Sequence, residues 1–188
     1  MSKVGAGRDS RGGVLVADEP AQLRRGIEDN LRTLRVDQLA VVNLRLMRDD
    51  GPDAFFDDQL SAMISARDAG LIAAIGLSNV TLAHVLHALR FTELACVQNA
   101  FHLANRRSQS VLEECSRRNI AFVPFSPLGS GAASAGALLS SPEVVGIATR
   151  LGCTPGQVAL AWALTFPNVL LIPGTSSVGH LRENLAAA

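Results

Sequence analysis

The order of short apolar runs and longer amphipathic ones predicts an α/β protein, a parallel sheet whose outer side is covered by helices. Runs such as LAVVNLRL at 39–46 and IAAIGL at 72–77 are nearly continuous in apolar residues, as central parallel strands are. Between such runs lie stretches with helical spacing, the clearest being Pro20 through Leu34, with Leu23, Ile27, Leu31 and Leu34 on one stripe. Polar residues gather just after the strands: Ser78 and Asn79, Gln98 and Asn99, Ser126, and Gly174 to Ser176. In a parallel barrel those are the C-terminal strand ends, where binding sites are built.

Taken in order, the helical pattern 20–34 precedes the strand 39–46, and a second pattern, 59–69, leads through Gly70 into the strand 72–77. A helix at 81–90, a strand at 94–99, a helix at 108–118 and a strand at 120–125 follow. The Gly/Ala/Ser-rich stretch 129–141 reads as a long lid or binding loop. Helices near 142–150 and 155–166, a strand at 168–173 and a last helix from about Ser177 complete the alternation. The second of those helices is announced by Thr154-Pro155-Gly156-Gln157, with a cap, a proline at the first helical position and a glutamine three residues after the cap. No linker interrupts the pattern, so residues 1–188 are expected to form one domain.

Totals narrow the classes of function. With 17 Lys+Arg against 17 Asp+Glu, no net charge draws the chain to nucleic acid or to a membrane surface. No apolar stretch is long enough to span a bilayer, and the start, MSKVGAGRDSRGG, lacks a signal-type apolar core, so a soluble cytoplasmic protein is expected. Cys96, Cys115 and Cys153 are widely spaced and odd in number, which fits buried reduced thiols rather than disulfides or a metal site. Tyrosine is absent altogether.

Near the end stands LLIPGTSSVGHLREN, an apolar run cut by Pro173 and Gly174 and followed by small residues and a helical pattern. Small residues leave the backbone exposed, and Ser176 or Ser177 can cap a helix whose free N–H groups favour an anion such as a phosphate. Taken alone, the stretch reads first as an ordinary strand-to-helix turn with a serine cap.

Ile75-Gly-Leu-Ser-Asn79, Val97-Gln-Asn99, Phe125-Ser-Pro-Leu-Gly129 and Ile172-Pro-Gly-Thr-Ser-Ser with Arg182-Glu-Asn184 together resemble the aldo-keto reductases. VVNLRLM and IPGTSSVGHLRENLAAA further look like the branch that includes bacterial pyridoxal reductases, or pyridoxine 4-dehydrogenases. The resemblance implies a (β/α)8 barrel of TIM-barrel type, here a partial barrel of about six parallel strands, truncated at both ends. It further implies an NADP(H)-dependent oxidoreductase that reduces a small aldehyde or ketone by hydride transfer. Under it, Ser78, Asn79 and Gln98 would bond the nicotinamide carboxamide, and Phe125 would stack on the ring. Ser126, Leu128 and Ser130 would line the pyrophosphate. Gly174, Thr175 and Ser176 would surround the 2′-phosphate, with Glu183 and Asn184 at the adenine. Many relatives carry Lys and Arg where this chain has Gly174 and His180, which predicts a weaker grip on that phosphate and a reduced preference for NADP over NAD.

Carbonyl chemistry in the family uses a Tyr as general acid, a Lys that lowers its pKa, an Asp paired with that Lys, and usually a His that orients the carbonyl. Lys3, in Lys-Val-Gly, matches the Lys, and Arg45 stands at the His position. The Tyr and the Asp belong to barrel units with no counterpart in this sequence, so the chain alone is expected to be inactive. A second expectation follows, that of a non-catalytic nicotinamide-nucleotide-binding subunit or sensor. His84, His87 and His102 are expected to be surface or packing residues, and Phe55, Phe56 and Trp162 core. Open sheet edges predict poor stability or self-association.

Overall fold

The computed structural model describes the chain apart from residues 9, 10, 12 and 49 and the side chains of residues 8 and 132. It divides into two compact units, Met1–Gln98 and Asn99–Ala188. Both are α/β, as the alternation predicts.

In the first unit the strands β1 (Ser2–Arg8), β2 (Val14–Ala17), β3 (Leu39–Arg45), β4 (Ile72–Ser78) and β5 (Cys96–Gln98) lie in the order β2-β1-β3-β4-β5. β1, β3, β4 and β5 run parallel. β2 is an addition that the apolar pattern did not reveal, a four-residue strand folded antiparallel onto β1 from Gly5↔Ala17 to Arg8↔Val14. It carries Val14, Leu15 and Val16, all exposed.

Helix α1 (Pro20–Leu34) forms where its stripe predicts. Pro20 opens it, a capping box between Glu19 and Gln22 satisfies early backbone donors, and Arg35 ends it in the left-handed region. Leu23 and Ile27 are fully buried, each such side chain contributing about 1.5–3 kcal/mol. Leu34 lies in solvent instead. α2 (Ala54–Asp68) begins five residues before the expected 59, because Asp53 caps it by accepting from the Phe56 amide at 2.8 Å. α1 packs on β1 and α2 on β3 and β4. α3 (Leu82–Ala88) is closed at its start by a capping box between Thr81 and His84.

Strand register separates two chemistries. Val42 pairs with Ile75 and Leu44 with Leu77, and all four are buried in the helix-covered face. The alternate positions, Lys3↔Asn43↔Gly76↔Cys96 and Arg45↔Ser78↔Gln98, form two polar rows on the other face. Gly76 is required there, since a Cβ would come within 2.3 Å of Asn43 Oδ1 and 2.8 Å of Cys96 Sγ.

The second unit holds β6 (Ala121–Phe122) and the helices α4 (Gln109–Arg117), α5 (Gly131–Leu139), α6 (Pro142–Leu151), α7 (Pro155–Leu164) and α8 (Val178–Leu185). Its core is aromatic: Phe101 stacks on Trp162 at 5.4 Å and meets Phe122 and Phe166 edge-on. Buried Glu114 is held by Arg117 and Arg118.

Residues 129–141 and 168–173 depart from the expected elements. Residues 129–141 are not a long loop, because left-handed Gly129 and Gly131 turn the chain into α5, whose Ala and Leu residues are the strongest helix formers. Residues 168–173 do not form an extended strand. Phe122 donates to Asn168 O at 2.8 Å and receives from the Leu170 amide at 2.9 Å, and this single parallel bridge has only the two-residue β6 to pair with.

Gly76→Ala is expected to destabilise the chain by about 1–3 kcal/mol, because Asn43, Cys96 and the strand backbone must give way together. Denaturant unfolding checks this, and an unchanged midpoint would show that the polar row yields without cost.

Candidate functional site

Five of the residues singled out in the sequence stand at one end of the first unit's sheet: Lys3, Arg45, Ser78, Asn79 and Gln98. Parallel pairing brings them together although the chain separates them by up to 95 positions. The Lys3 ammonium donates to Ser78 Oγ at 3.1 Å, which links β1 to β4 across the intervening β3. Ser78 and Gln98 are buried, while Lys3 and Arg45 are half-buried. Gly5 makes room for this end of β3: its φ is +104°, and a Cβ would fall 2.2 Å from the Arg45 carbonyl oxygen.

Asn79 has a left-handed backbone, φ 59°, held from two sides. Its amide donates to Gln98 O at 3.1 Å and its side chain donates to Leu46 O at 2.9 Å. Asparagine tolerates that region better than most residues, and the bonds hold its backbone at the strand end.

Burial, reinforced by the Arg45 charge, lowers the Lys3 ammonium from its ordinary 10.5 to about 8, and Cys96 opposes part of that shift. Burial also pushes the Cys96 thiol up, and the thiol donates to Asn43 Oδ1 at 3.3 Å. Cys96 and Cys115 are buried as expected, whereas Cys153 is partly exposed.

In the second unit, Leu128, Leu139, Pro155, Gly156, Gly174, Thr175, His180, Glu183 and Asn184 line a cavity of about 280 Å³. Six of these were singled out in the sequence. Among the remaining lining residues, Gly156 is buried against the Glu183 carboxylate, and a Cβ there would stand 3.4 Å from Glu183 Oε1, an ordinary contact. The fastening between α7 and α8 escaped sequence reasoning. Thr154 Oγ1 donates to Glu183 Oε1 at 2.6 Å while accepting from the Gln157 amide, and Gln157 Nε2 donates to Glu183 O at 3.1 Å. The capping box of α7 therefore also aims Glu183. A residue after Gly174 that donates onward is Ser177, whose amide bonds Thr175 Oγ1 at 3.0 Å and whose Oγ caps α8 by accepting from His180 N. Ser176 is exposed next to that cap, so the helix is capped by Ser177 of the two serines considered.

Phe125, Ser126, Leu128 and Ser130 follow β6. Phe125 is tied to Asn99 by a backbone bond of 3.0 Å, and Ser126 takes φ 52°, a left-handed conformation unusual for serine. Gly129, at φ +97°, packs so closely on α5 that a Cβ would lie 2.9 Å from the Ala135 amide nitrogen. Ser130 is the N-cap of α5 without using its side chain as a cap.

Among the histidines, His84 is buried in the α3 cap and His102 is buried, with its pKa lowered by that burial. His87 has a carboxylate partner that sequence spacing hid, Asp57 at 2.6 Å on α2. Phe56 is core, whereas Phe55 is half-buried with Arg48 above its ring. Trp162 is half-buried too, sandwiched by Phe101 and Arg106. Among the described residues no cluster of His, Cys, Asp or Glu could hold a metal ion, and no helix is long and apolar enough to cross a membrane.

Comparison with known proteins bears on both ends of the chain. The aldo/keto reductase family model matches residues 2–188. Pyridoxine 4-dehydrogenase of Escherichia coli is 44% identical over 191 residues, covering 100% of this chain and 65% of that protein. An uncharacterized oxidoreductase of Schizosaccharomyces pombe is 37% identical over 171 residues, covering 90% of this chain and 53% of its own length. Among solved structures, a thermostable aldo-keto reductase in complex with the inhibitor epalrestat superposes with a TM-score of 0.77 at 30% identity, covering 91% of this chain and 62% of that one. An aldo/keto reductase from Klebsiella pneumoniae in complex with NADP and acetate gives 0.75 at 28%, covering 91% and 60%. These likenesses make the fold that of a (β/α)8 barrel, partial here.

The Lys3 shift has a consequence for stability. The folded chain releases the Lys3 proton near pH 8 and the unfolded chain near 10.5, so between those values the unfolded state binds more protons and stability rises with pH. Lys3→Met is expected to flatten that rise in urea titrations run from pH 7 to 10.5. Thr154→Val is expected to cost about 1 kcal/mol, as loss of an N-cap does, and to release Glu183, read as a fall in the thermal midpoint.

Proposed function

The chain belongs to the aldo/keto reductase family, and from that premise we propose that it is an NADP(H)-binding portion of a reductase acting on a small aldehyde or ketone. One observation carries the reading. Leu128, Gly174, Thr175, His180, Glu183 and Asn184, which the motif assigns to the pyrophosphate and phosphorylated-adenosine end of the nucleotide, line one cavity of about 280 Å³. The residues present fit that group. Gly174 has nothing within 4 Å of where a Cβ would stand, so a phosphate can approach the backbone, and the His180 ring in the cavity lining offers a hydrogen-bond donor. Glu183, held by Thr154, offers an acceptor for an adenine amino group.

In the first unit, Asn79 and buried Gln98 and Ser78 are the groups for a carboxamide, which needs both donors and acceptors at fixed positions. The nucleotide, when bound, supplies the hydride. Arg45 is suited to bond a carbonyl oxygen and to favour developing negative charge there. Lys3 is suited to hold a neighbouring phenol acidic by its charge, but this sequence contains no tyrosine for it to act on. Carbonyl reduction with a phenol as acid therefore needs a tyrosine from outside these 188 residues, and the chain spans 65% of its Escherichia coli relative.

The missing phenol favours a second reading, a nicotinamide-nucleotide-binding subunit that performs no reduction itself. The two readings part on one assay. Reduction of a small aldehyde by a polypeptide that includes this chain, lost in Lys3→Met, supports the first; nucleotide binding without turnover supports the second.

NADPH at a hundred times its dissociation constant is expected to add about 2.7 kcal/mol to the stability of this chain in thermal unfolding. A transition that NADPH does not move would overturn the binding reading. Gly174→Lys is expected to favour NADPH over NADH by a further twofold to fivefold, roughly 0.5–1 kcal/mol for an exposed charge pair. Competitive titration with the two nucleotides measures that ratio.

A further inference from the structure

Lys3 is the only lysine in the chain, against sixteen arginines, so one side-chain amine capable of nucleophilic chemistry is present. It stands on the polar face of the sheet, half-buried. Asn43 is its register partner on β3, Ser78 accepts its hydrogen bond at 3.1 Å, and Arg45 lies close enough for its charge to bear on the amine. Cys96 stands in the same polar row, and the charge of the Met1 α-amine bears on it.

We propose that Lys3 is a covalent capture site for small aldehydes, forming an imine through its ε-amine with Ser78 beside it as proton relay. An ammonium cannot attack a carbonyl, so the site must keep a usable share of the amine neutral, and burial beside a second cation does this. Lowering the value from 10.5 to about 8 raises the neutral fraction at pH 7 roughly 300-fold. The step balances without a redox partner. The amine nitrogen adds to the carbonyl carbon to give a carbinolamine, both amine protons leave with the former carbonyl oxygen as water, and the C=N bond remains. Ser78 Oγ, bonded to the nitrogen, can take a proton from it and return one to the departing oxygen. Arg45 favours an aldehyde that carries an anionic or phenolate oxygen. This chemistry uses no nucleotide and no hydride, so it stands or falls independently of the reductase reading.

The test uses salicylaldehyde, an aldehyde with a neighbouring phenolic oxygen, and cyanoborohydride to trap the imine on the folded chain from pH 6 to 10. Peptide mass mapping then separates Lys3 from the Met1 amine. The expected result is a Lys3 adduct whose rate is half-maximal near pH 8 and, at pH 7, at least tenfold faster than on the same lysine in urea-unfolded chain. Arg45→Met is expected to slow Lys3 labelling at pH 7 several-fold while leaving Met1 labelling unchanged, and Lys3→Arg to abolish the internal adduct. Equal rates for Lys3 in folded and unfolded chain, labelling confined to Met1, or a midpoint above pH 10 would each overturn the proposal.

Discussion

The parallel register of β3 against β4 is the constraint on which the first unit's chemistry depends. Asn43 opposite Gly76 and Arg45 opposite Ser78 put every polar group on one face, while Val42 opposite Ile75 and Leu44 opposite Leu77 bury the other under helices. A slip of one residue would exchange the faces, burying Arg45 among the helices and exposing Leu44. Burial of the apolar face thus enforces the arrangement of the polar one. Lys3, Ser78 and Gln98 reach the same end of the sheet because their neighbours on the helix side, Val4, Leu77 and Val97, have nowhere else to go.

Close approach on the polar face is made possible by glycine at two points. At Gly76 the missing side chain admits the Asn43 amide and the Cys96 thiol, and at Gly5 it admits the Arg45 carbonyl. The first opening lets a layer of small polar groups replace what would otherwise be packed aliphatic side chains. In the second, a left-handed residue lets β1 continue past β3 into its hairpin with β2. Backbone freedom and side-chain chemistry are linked here: the strands carrying Lys3 and Arg45 could not run this close with a Cβ at Gly5.

Legibility in the sequence followed the range of the interactions. α1 and the start of α7 were readable to the residue because their signals, Pro20 with its stripe and Thr154-Pro155-Gly156-Gln157, lie within a few positions. α5 was hidden because its glycines and serines resemble loop composition while its alanines favour helix, and β2 because four residues are too few to show a period. The span 168–173 looked like a strand from its apolar content, but strand character needs a partner, and β6 offers two residues. At the sites, motif positions such as Gly174, Glu183 and Asn184 were visible, whereas the Thr154–Glu183 bond spans 29 residues and the His87–Asp57 pair spans 30, beyond any local pattern.

Two non-glycine residues at strand ends, Asn79 and Ser126, adopt left-handed backbones, and both belong to motifs that the sequence marked for ligand contact. Such conformations cost about 1–3 kcal/mol each and persist only where surrounding structure over-determines them. For Asn79 the restraint is explicit in its bonds to Gln98 O and Leu46 O. Around Ser126 it comes from Phe125 tied to Asn99 on one side and Gly129 bonded back to the Ser126 carbonyl at 2.9 Å on the other. Elsewhere the chain meets the same backbone in both ways, with glycine at Gly70 and Gly152 and with a side chain at Arg35, Asn119 and Asn168. At Asn79 the side chain itself fastens the strand end through its bond to Leu46 O, so the residue that the motif marks and the residue that holds the turn are one and the same.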